Sequence, residues 1–267
     1  MNKLKRFAQE VALLTLEISY KGRVGHIGSA LSISDILSVL YLKHLKISKK
    51  NLNSEKRDRF ILSKGHAVAS LYAALHKKGI LSKKEIDSFG KDYGLCEHPE
   101  IKDPGIEMTT GSLGHGLAFG IGIALGQKKN KLKNKTFVLI SDGESDEGSI
   151  WEAALLAPNL NLDNLTVIVD YNKWQCFGPV SQVVNLEPFS DKWKSFGWEV
   201  KEIDGHDLEQ IDETFSLLPF SKKRPSVILA HTVSGKGIKQ IENQLVGHYK
   251  VFNEEEYLNV RKEIENL

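Results

Sequence analysis

Apolar residues early in the chain recur at helical spacing. Leu4, Phe7, Ala8, Val11, Leu14 and Ile18 fall on one face of a 3.6-residue period, which predicts an amphipathic helix over about 3–20. The same spacing predicts helices over about 34–45, 67–78 and 82–89, separated by the glycine-containing turns GRVGHIGS and SKGH. The chain up to about residue 130 is therefore expected to be mostly helical. Beyond it the pattern changes. TFVLI (136–140), LTVIV (165–169) and SVILA (226–230) are short unbroken apolar runs, and 198–203 is a further strand candidate. Helices are predicted between them at about 150–160 and 208–217. Apolar strands alternating with helices indicate a parallel sheet with helices on both faces, so the expected fold class is α/β. No Pro/Ser/Gly-rich linker divides the sequence, and residues 1–267 are read as a single domain.

Composition narrows the function. The 267 residues are 41% apolar, which is globular rather than disordered. With 36 basic and 34 acidic side chains, there is no electrostatic case for nucleic acid. Two cysteines, Cys96 and Cys176, provide neither a disulfide framework nor a metal pair, and the expectation is a cytoplasmic protein. No membrane span is expected. Glu10 and Glu17 interrupt the opening apolar stretch, and Gly111–Gly126 is too short and contains six glycines.

The candidate chemistry follows from the topology. Ligands of an open parallel sheet bind beyond the carboxyl ends of its strands. The run 136–140 leads into Ser141-Asp142-Gly143-Glu144, and the run 165–169 into Asp170-Tyr171-Asn172. If the two strands are neighbours, Asp142 and Asn172 can hold one ion. One carboxylate and one amide oxygen suit Mg²⁺ or Ca²⁺ completed by water and phosphate oxygens. Gly143 is expected to allow a sharp turn and to keep bulk away from the ligand. Either motif alone is an ordinary turn; the pair at successive strand ends is far more specific.

Ser141-Asp142-Gly143, then 28 residues, then Asn172, resembles the thiamine diphosphate signature GDG…N. GHIG (25–28), DRFILSKGHA (58–67), EHPE (97–100), TTGSLGHG (109–116) and EG (147–148) stand in the order found in the amino-terminal half of transketolases. The resemblance runs from about residue 6 to 250. It implies a thiamine diphosphate-binding fold, with Asp142, Asn172 and the backbone carbonyl of Trp174 holding Mg²⁺, or Ca²⁺ or Mn²⁺. Gly143 and His66 would meet the diphosphate, and Gly111, Ser112 and Leu113 the aminopyrimidine. His26, His98 and His248 match the histidines around the reactive carbon, where a side chain with a pKa near neutrality can move protons. His248 would touch the diphosphate or a substrate hydroxyl. His44, His76 and His206 are read as surface or loop residues, His231 as reaching the site edge, and Phe177 and Trp174 as packing residues. Ser141, Ser112, His115 and Gly247-His248-Tyr249 depart from the family pattern around the substrate region.

Complete transketolases are more than twice as long. The resemblance therefore implies the diphosphate-binding subunit of a split transketolase, moving a two-carbon ketol unit from a ketose or ketose phosphate to an aldose. A partner chain would carry the pyrimidine-binding domain and the activating glutamate, in a heterotetramer of two of each subunit. Glu147 and Glu152 match a carboxylate cluster near the family's subunit interface instead. The alternatives are a subunit of a 2-oxo acid dehydrogenase or of a deoxyxylulose phosphate synthase-like enzyme, or an inactive cofactor-binding module. A Rossmann-like nucleotide-binding domain is disfavoured because no G-x-G-x-x-G follows an early strand.

Overall fold

A computed structural model describes residues 3–267. The chain begins with α1 (Lys3–Gly22), α2 (Ile27–Ser32) and α3 (Ser34–Val39), then β1 (Arg59–Leu62), α4 (Val68–Lys77), α5 (Lys83–Ile86) and α6 (Gly116–Lys129). The alternating part follows as β2 (Thr136–Ser141), α7 (Gly148–Asn159), β3 (Leu165–Tyr171), the small hairpin β4 (Trp174–Gln175) and β5 (Gly178–Pro179), α8 (Val180–Val183), α9 (Phe189–Ser195), β6 (Glu199–Asp204), α10 (Leu208–Ser216) and β7 (Ser226–His231). Two helices close the chain, α11 (Val246–Tyr249) and α12 (Glu254–Glu265). Five strands form one sheet in the order β1-β2-β3-β7-β6, and every pairing is parallel.

The sheet is buried on both faces, which is why its central strands read as unbroken apolar runs. Phe137, Leu139, Ile168 and Ile228 pack on one side with residues of α1, α3, α4 and α10. Val138, Ile140, Val167, Val169, Val227 and Leu229 point to the other side, against Leu117 and Ile121 of α6, Ile150 of α7 and Trp193 of α9. A third cluster joins Ala12 and Leu16 of α1 to Val260 and Ile264 of α12, and Tyr20 stacks on Tyr257 with ring centroids 4.1 Å apart.

Four differences from the sequence reading have physical causes. The run RFIL of β1 lies within the region expected to be helical, and pairing with β2 overrides its short length. The glycine-rich segment 116–129, for which the sequence pattern specifies no element, is a helix whose glycines let α6 approach the sheet; a Cβ on Gly120 would stand 2.4 Å from Val138 Cγ2. The expected helix 34–45 is α3 followed by a π turn over Leu40–His44. The expected helix 82–89 is a single capped turn, α5, in which Ser82 and Glu85 form a reciprocal capping box.

Gly120→Ala is expected to destabilise the fold by about 1–3 kcal/mol through overpacking, despite alanine's better helix propensity. Adding Val138→Ala should recover part of that loss, measured by denaturant unfolding. A single variant as stable as the parent would show that α6 has room to withdraw.

Candidate active site

Parallel pairing of β2 with β3 sets Ser141 opposite Asp170, so the segments that follow the two strands emerge side by side. Asp142 is fully buried. Its Oδ1 accepts from Gly143 N at 2.8 Å and its Oδ2 from Lys173 N at 2.6 Å. Asn172 is also buried; its Nδ2 donates to Asp170 Oδ2 at 2.6 Å and its Oδ1 accepts from Trp174 N at 2.8 Å. Trp174 opens the hairpin beside them. Gly143 does not adopt a left-handed turn; a Cβ there would stand 3.0 Å from Gln175 Cβ, so this glycine makes room for the hairpin.

A cavity of about 100 Å³ lies over these strand ends, and Gly143, Asn172, Trp174, Leu113, His66 and His248 line it together with Ser29, Lys64 and Glu144. His66 sits on a 3₁₀ turn shortly after β1. His26 precedes α2 with a left-handed backbone, φ 64°, and its N–H donates to His248 O at 2.8 Å. The rings converge: His26 lies 4.5 Å from His248 and 5.2 Å from His66, and His66 lies 5.6 Å from His248, between centroids. His98 comes from the loop before α6 and packs on Gly111, where a Cβ would stand 3.0 Å from its Cδ2. Ser112 is exposed, and Leu113 reaches the cavity.

The electrostatics of the two ends of the cavity oppose each other. Burial, then the Asp170 charge, pushes the Asp142 carboxyl up to about 7. Burial lowers His248 to about 4, with His26 and Lys64 adding to the effect. Burial likewise lowers His26, and it lowers His66 well below the ordinary histidine value, where Lys64 is the next cause. The rings are therefore neutral, each with one donor and one acceptor nitrogen. His26 Nδ1 is buried without a partner. Among the described residues no three His, Cys, Asp or Glu side chains form a metal cage. The donor set at Asp142 and Asn172 thus fits a divalent ion whose remaining ligands are backbone and phosphate oxygens, and such a cation offsets the burial of Asp142. The neutral histidines fit a diphosphate and a polar substrate as hydrogen-bond partners.

Other positions fall elsewhere. His231 pairs with Glu202 at 3.0 Å outside the cavity. His44 pairs with Asp212 at 2.6 Å, and His76 bonds Leu81 O at 2.9 Å. His206, in the turn after β6 as a loop residue, bridges Asp35 Oδ2 at 2.8 Å and Val233 N at 2.9 Å. Phe177, expected to pack, is 78% exposed at the hairpin tip. Cys96 and Cys176 are free. Two residues that carry the site had no role in the sequence reading. Lys64, two residues after β1, is fully buried and paired with Asp170. Glu144 is fully buried, accepts from Ser63 Oγ and from Gly114 N, and so fixes the loop holding Leu113. The signal available for Lys64 was a lysine close behind an apolar run.

A parallel sheet whose strand ends combine a buried Asp–Asn pair with a histidine cluster defines a diphosphate-binding α/β domain. Residues 4–265 match the family described as transketolase, thiamine diphosphate binding domain, and the chain belongs to that family. It is 41% identical over 251 residues to an apulose-4-phosphate transketolase subunit of Phocaeicola vulgatus, covering 93% of this chain and 89% of that one. It is 40% identical over 264 residues to the 6-deoxy-6-sulfo-D-fructose transketolase subunit SqwG of a Clostridium species, covering 98% and 96%. The transketolase of Campylobacter jejuni superposes with a TM-score of 0.93 at 34% identity, over 99% of this chain and 43% of that one. That of Leishmania mexicana gives 0.93 at 28%, over 99% and 42%. The chain thus spans about two fifths of those solved transketolases.

The lowered histidines carry a pH signature. A ring held neutral in the fold but titrating near 6.5 when unfolded contributes stability above about 6.5, lost as pH falls towards about 4. The melting temperature should therefore fall more steeply between pH 7 and pH 5 in the parent than in His248→Gln. Parallel curves would show that His248 is not held neutral.

Proposed function

We propose that this chain is the diphosphate-binding subunit of a split, thiamine diphosphate- and Mg²⁺-dependent transketolase. The observation that carries the reading is the convergence of Gly143, Asn172, His66 and His248 on one cavity, with His26 against both rings and buried Asp142 hydrogen-bonded to Gly143 N. Bound thiamine diphosphate supplies the nucleophilic carbon and electron sink for passing a two-carbon ketol unit from a ketose or ketose phosphate to an aldose.

The chain's own residues divide the remaining work. Asp142 Oδ, Asn172 Oδ1 and the Trp174 carbonyl hold Mg²⁺, with Ca²⁺ or Mn²⁺ as substitutes of the same oxygen preference. Gly143 and His66 meet the diphosphate. Gly111, Ser112 and Leu113 back the aminopyrimidine, with Gly111 small enough to admit the His98 ring beside it. His26 and His98 bind substrate hydroxyls and move protons there, and His248 bridges the diphosphate side to the substrate side. Imidazole suits this task because one nitrogen can accept while the other donates.

A partner chain with a pyrimidine-binding domain and the activating glutamate completes this site. Two features support that: similarity to chains named as transketolase subunits over nearly their whole length, and an exposed apolar strip on the surface. Phe119 of α6 and Leu155 and Leu156 of α7 are 40–55% exposed on helices packed against each other, a pattern that marks interaction surfaces. We infer one domain, a heterotetramer of two of each subunit and a cytoplasmic location. No helix among the described residues is long and apolar enough to cross a membrane.

Purified alone with thiamine diphosphate and Mg²⁺, the chain should show no ketol transfer; mixed with a pyrimidine-binding partner it should transfer from a ketose phosphate and not from pyruvate. Strong transfer by the single chain would refute the split arrangement. In the mixture, Asp142→Ala should weaken Mg²⁺-dependent cofactor binding by more than about 100-fold, read by calorimetry. Unchanged affinity would remove Asp142 from the metal site.

A further inference from the structure

We propose that Asp170 is a positioning residue for the metal site, with Lys64 as its counter-charge: it grips the Asn172 side-chain amide so that the oxygen, not the nitrogen, is presented beside Asp142. The proposal rests on the reading of the cavity as a metal–diphosphate site.

Asp170 lies near the end of β3, two residues before Asn172, and is fully buried. Its carboxylate is surrounded by four donors. Oδ2 accepts from Ser32 Oγ at 2.8 Å, from Asn172 Nδ2 at 2.6 Å and from Lys64 Nζ; Oδ1 accepts from Thr232 Oγ1. Lys64 Nζ also donates to Ser29 O at 3.0 Å. An amide flipped end for end would set its oxygen against the Asp170 carboxylate, two acceptors facing each other. The charge on Asp170 therefore permits one orientation of Asn172 and excludes the other. In that orientation Oδ1 receives Trp174 N and keeps a second lone pair for a cation. A lysine with no exposed surface beside that carboxylate is otherwise an expense to the fold, since buried ion pairs rarely stabilise relative to apolar packing.

Asp170→Asn keeps the shape but loses the charge, and its amide offers the Asn172 NH₂ no obligatory acceptor. Thr232→Val is the comparison, since it strips one donor from the same carboxylate without touching the Asn172 contact. The readout is the Mg²⁺ dependence of the melting-temperature rise produced by thiamine diphosphate, in the full chain together with its partner subunit. Asp170→Asn should need about 10–100 times more Mg²⁺ than the parent, and Thr232→Val about the same as the parent, while both melt earlier without ligand. Parent-like Mg²⁺ dependence in Asp170→Asn overturns the proposal. So does a loss in both variants that tracks only their melting temperatures. A parent that shows no Mg²⁺-dependent rise refutes the underlying reading of the site, and the positioning role falls with it. Should Asp170→Asn not fold, adding Lys64→Met removes the unpaired buried charge while leaving Asn172 unchanged. A folded double variant that needs about 10–100 times more Mg²⁺ than the parent supports the proposal, and parent-like Mg²⁺ dependence overturns it.

Discussion

A lysine and an aspartate with no exposed surface form the interaction on which the rest of the structure depends. Separating such charges from water is tolerated only when each is paired and hydrogen-bonded, and removing one partner costs about 3–5 kcal/mol. The Lys64–Asp170 pair meets that requirement with donors from four separate segments: α2, the turn after β1, the residue after β3 and the residue after β7. Those segments can only stand where the charges are matched. The carboxyl edge of the sheet is thus fixed by a polar requirement, while its middle is fixed by apolar packing on both faces.

The Lys64 ammonium also reaches beyond its partner. It acts on His26, His66 and His248 in the direction of the neutral ring, and on Asp142 in the direction of the ionised carboxylate. At the histidines that charge adds to the effect of burial, whereas at Asp142 burial and the Asp170 charge outweigh it.

What could be read from the sequence follows from how local each determinant is. β2, β3 and β7 were legible because strands buried on both faces leave unbroken apolar runs, and their parallel order followed from the helices between them. Asp142, Asn172 and the histidines were legible because each sits in a short motif at a strand end or turn. β1 was not, since four residues flanked by charge gain their strand character only by pairing with Thr136–Leu139. The pattern specifies no element for α6, since its glycines obscure the helical period while serving close approach to Val138. The supporting network was illegible for a different reason: Lys64 and Asp170 are 106 residues apart, and no local pattern links them.

The stack of Tyr20 on Tyr257, with Ala12 and Leu16 against Val260 and Ile264, ties an early helix to a late one. During synthesis that face of α1 can meet Ile27 and Leu31 of α2 early, but its contacts with Val260 and Ile264 wait for α12. The nascent chain therefore carries a partly covered apolar stripe through most of the translation of these residues. Such a delay is a recognised opening for aggregation and for chaperone engagement. The closing helix acts as a latch on assembly order as well as a wall of the core.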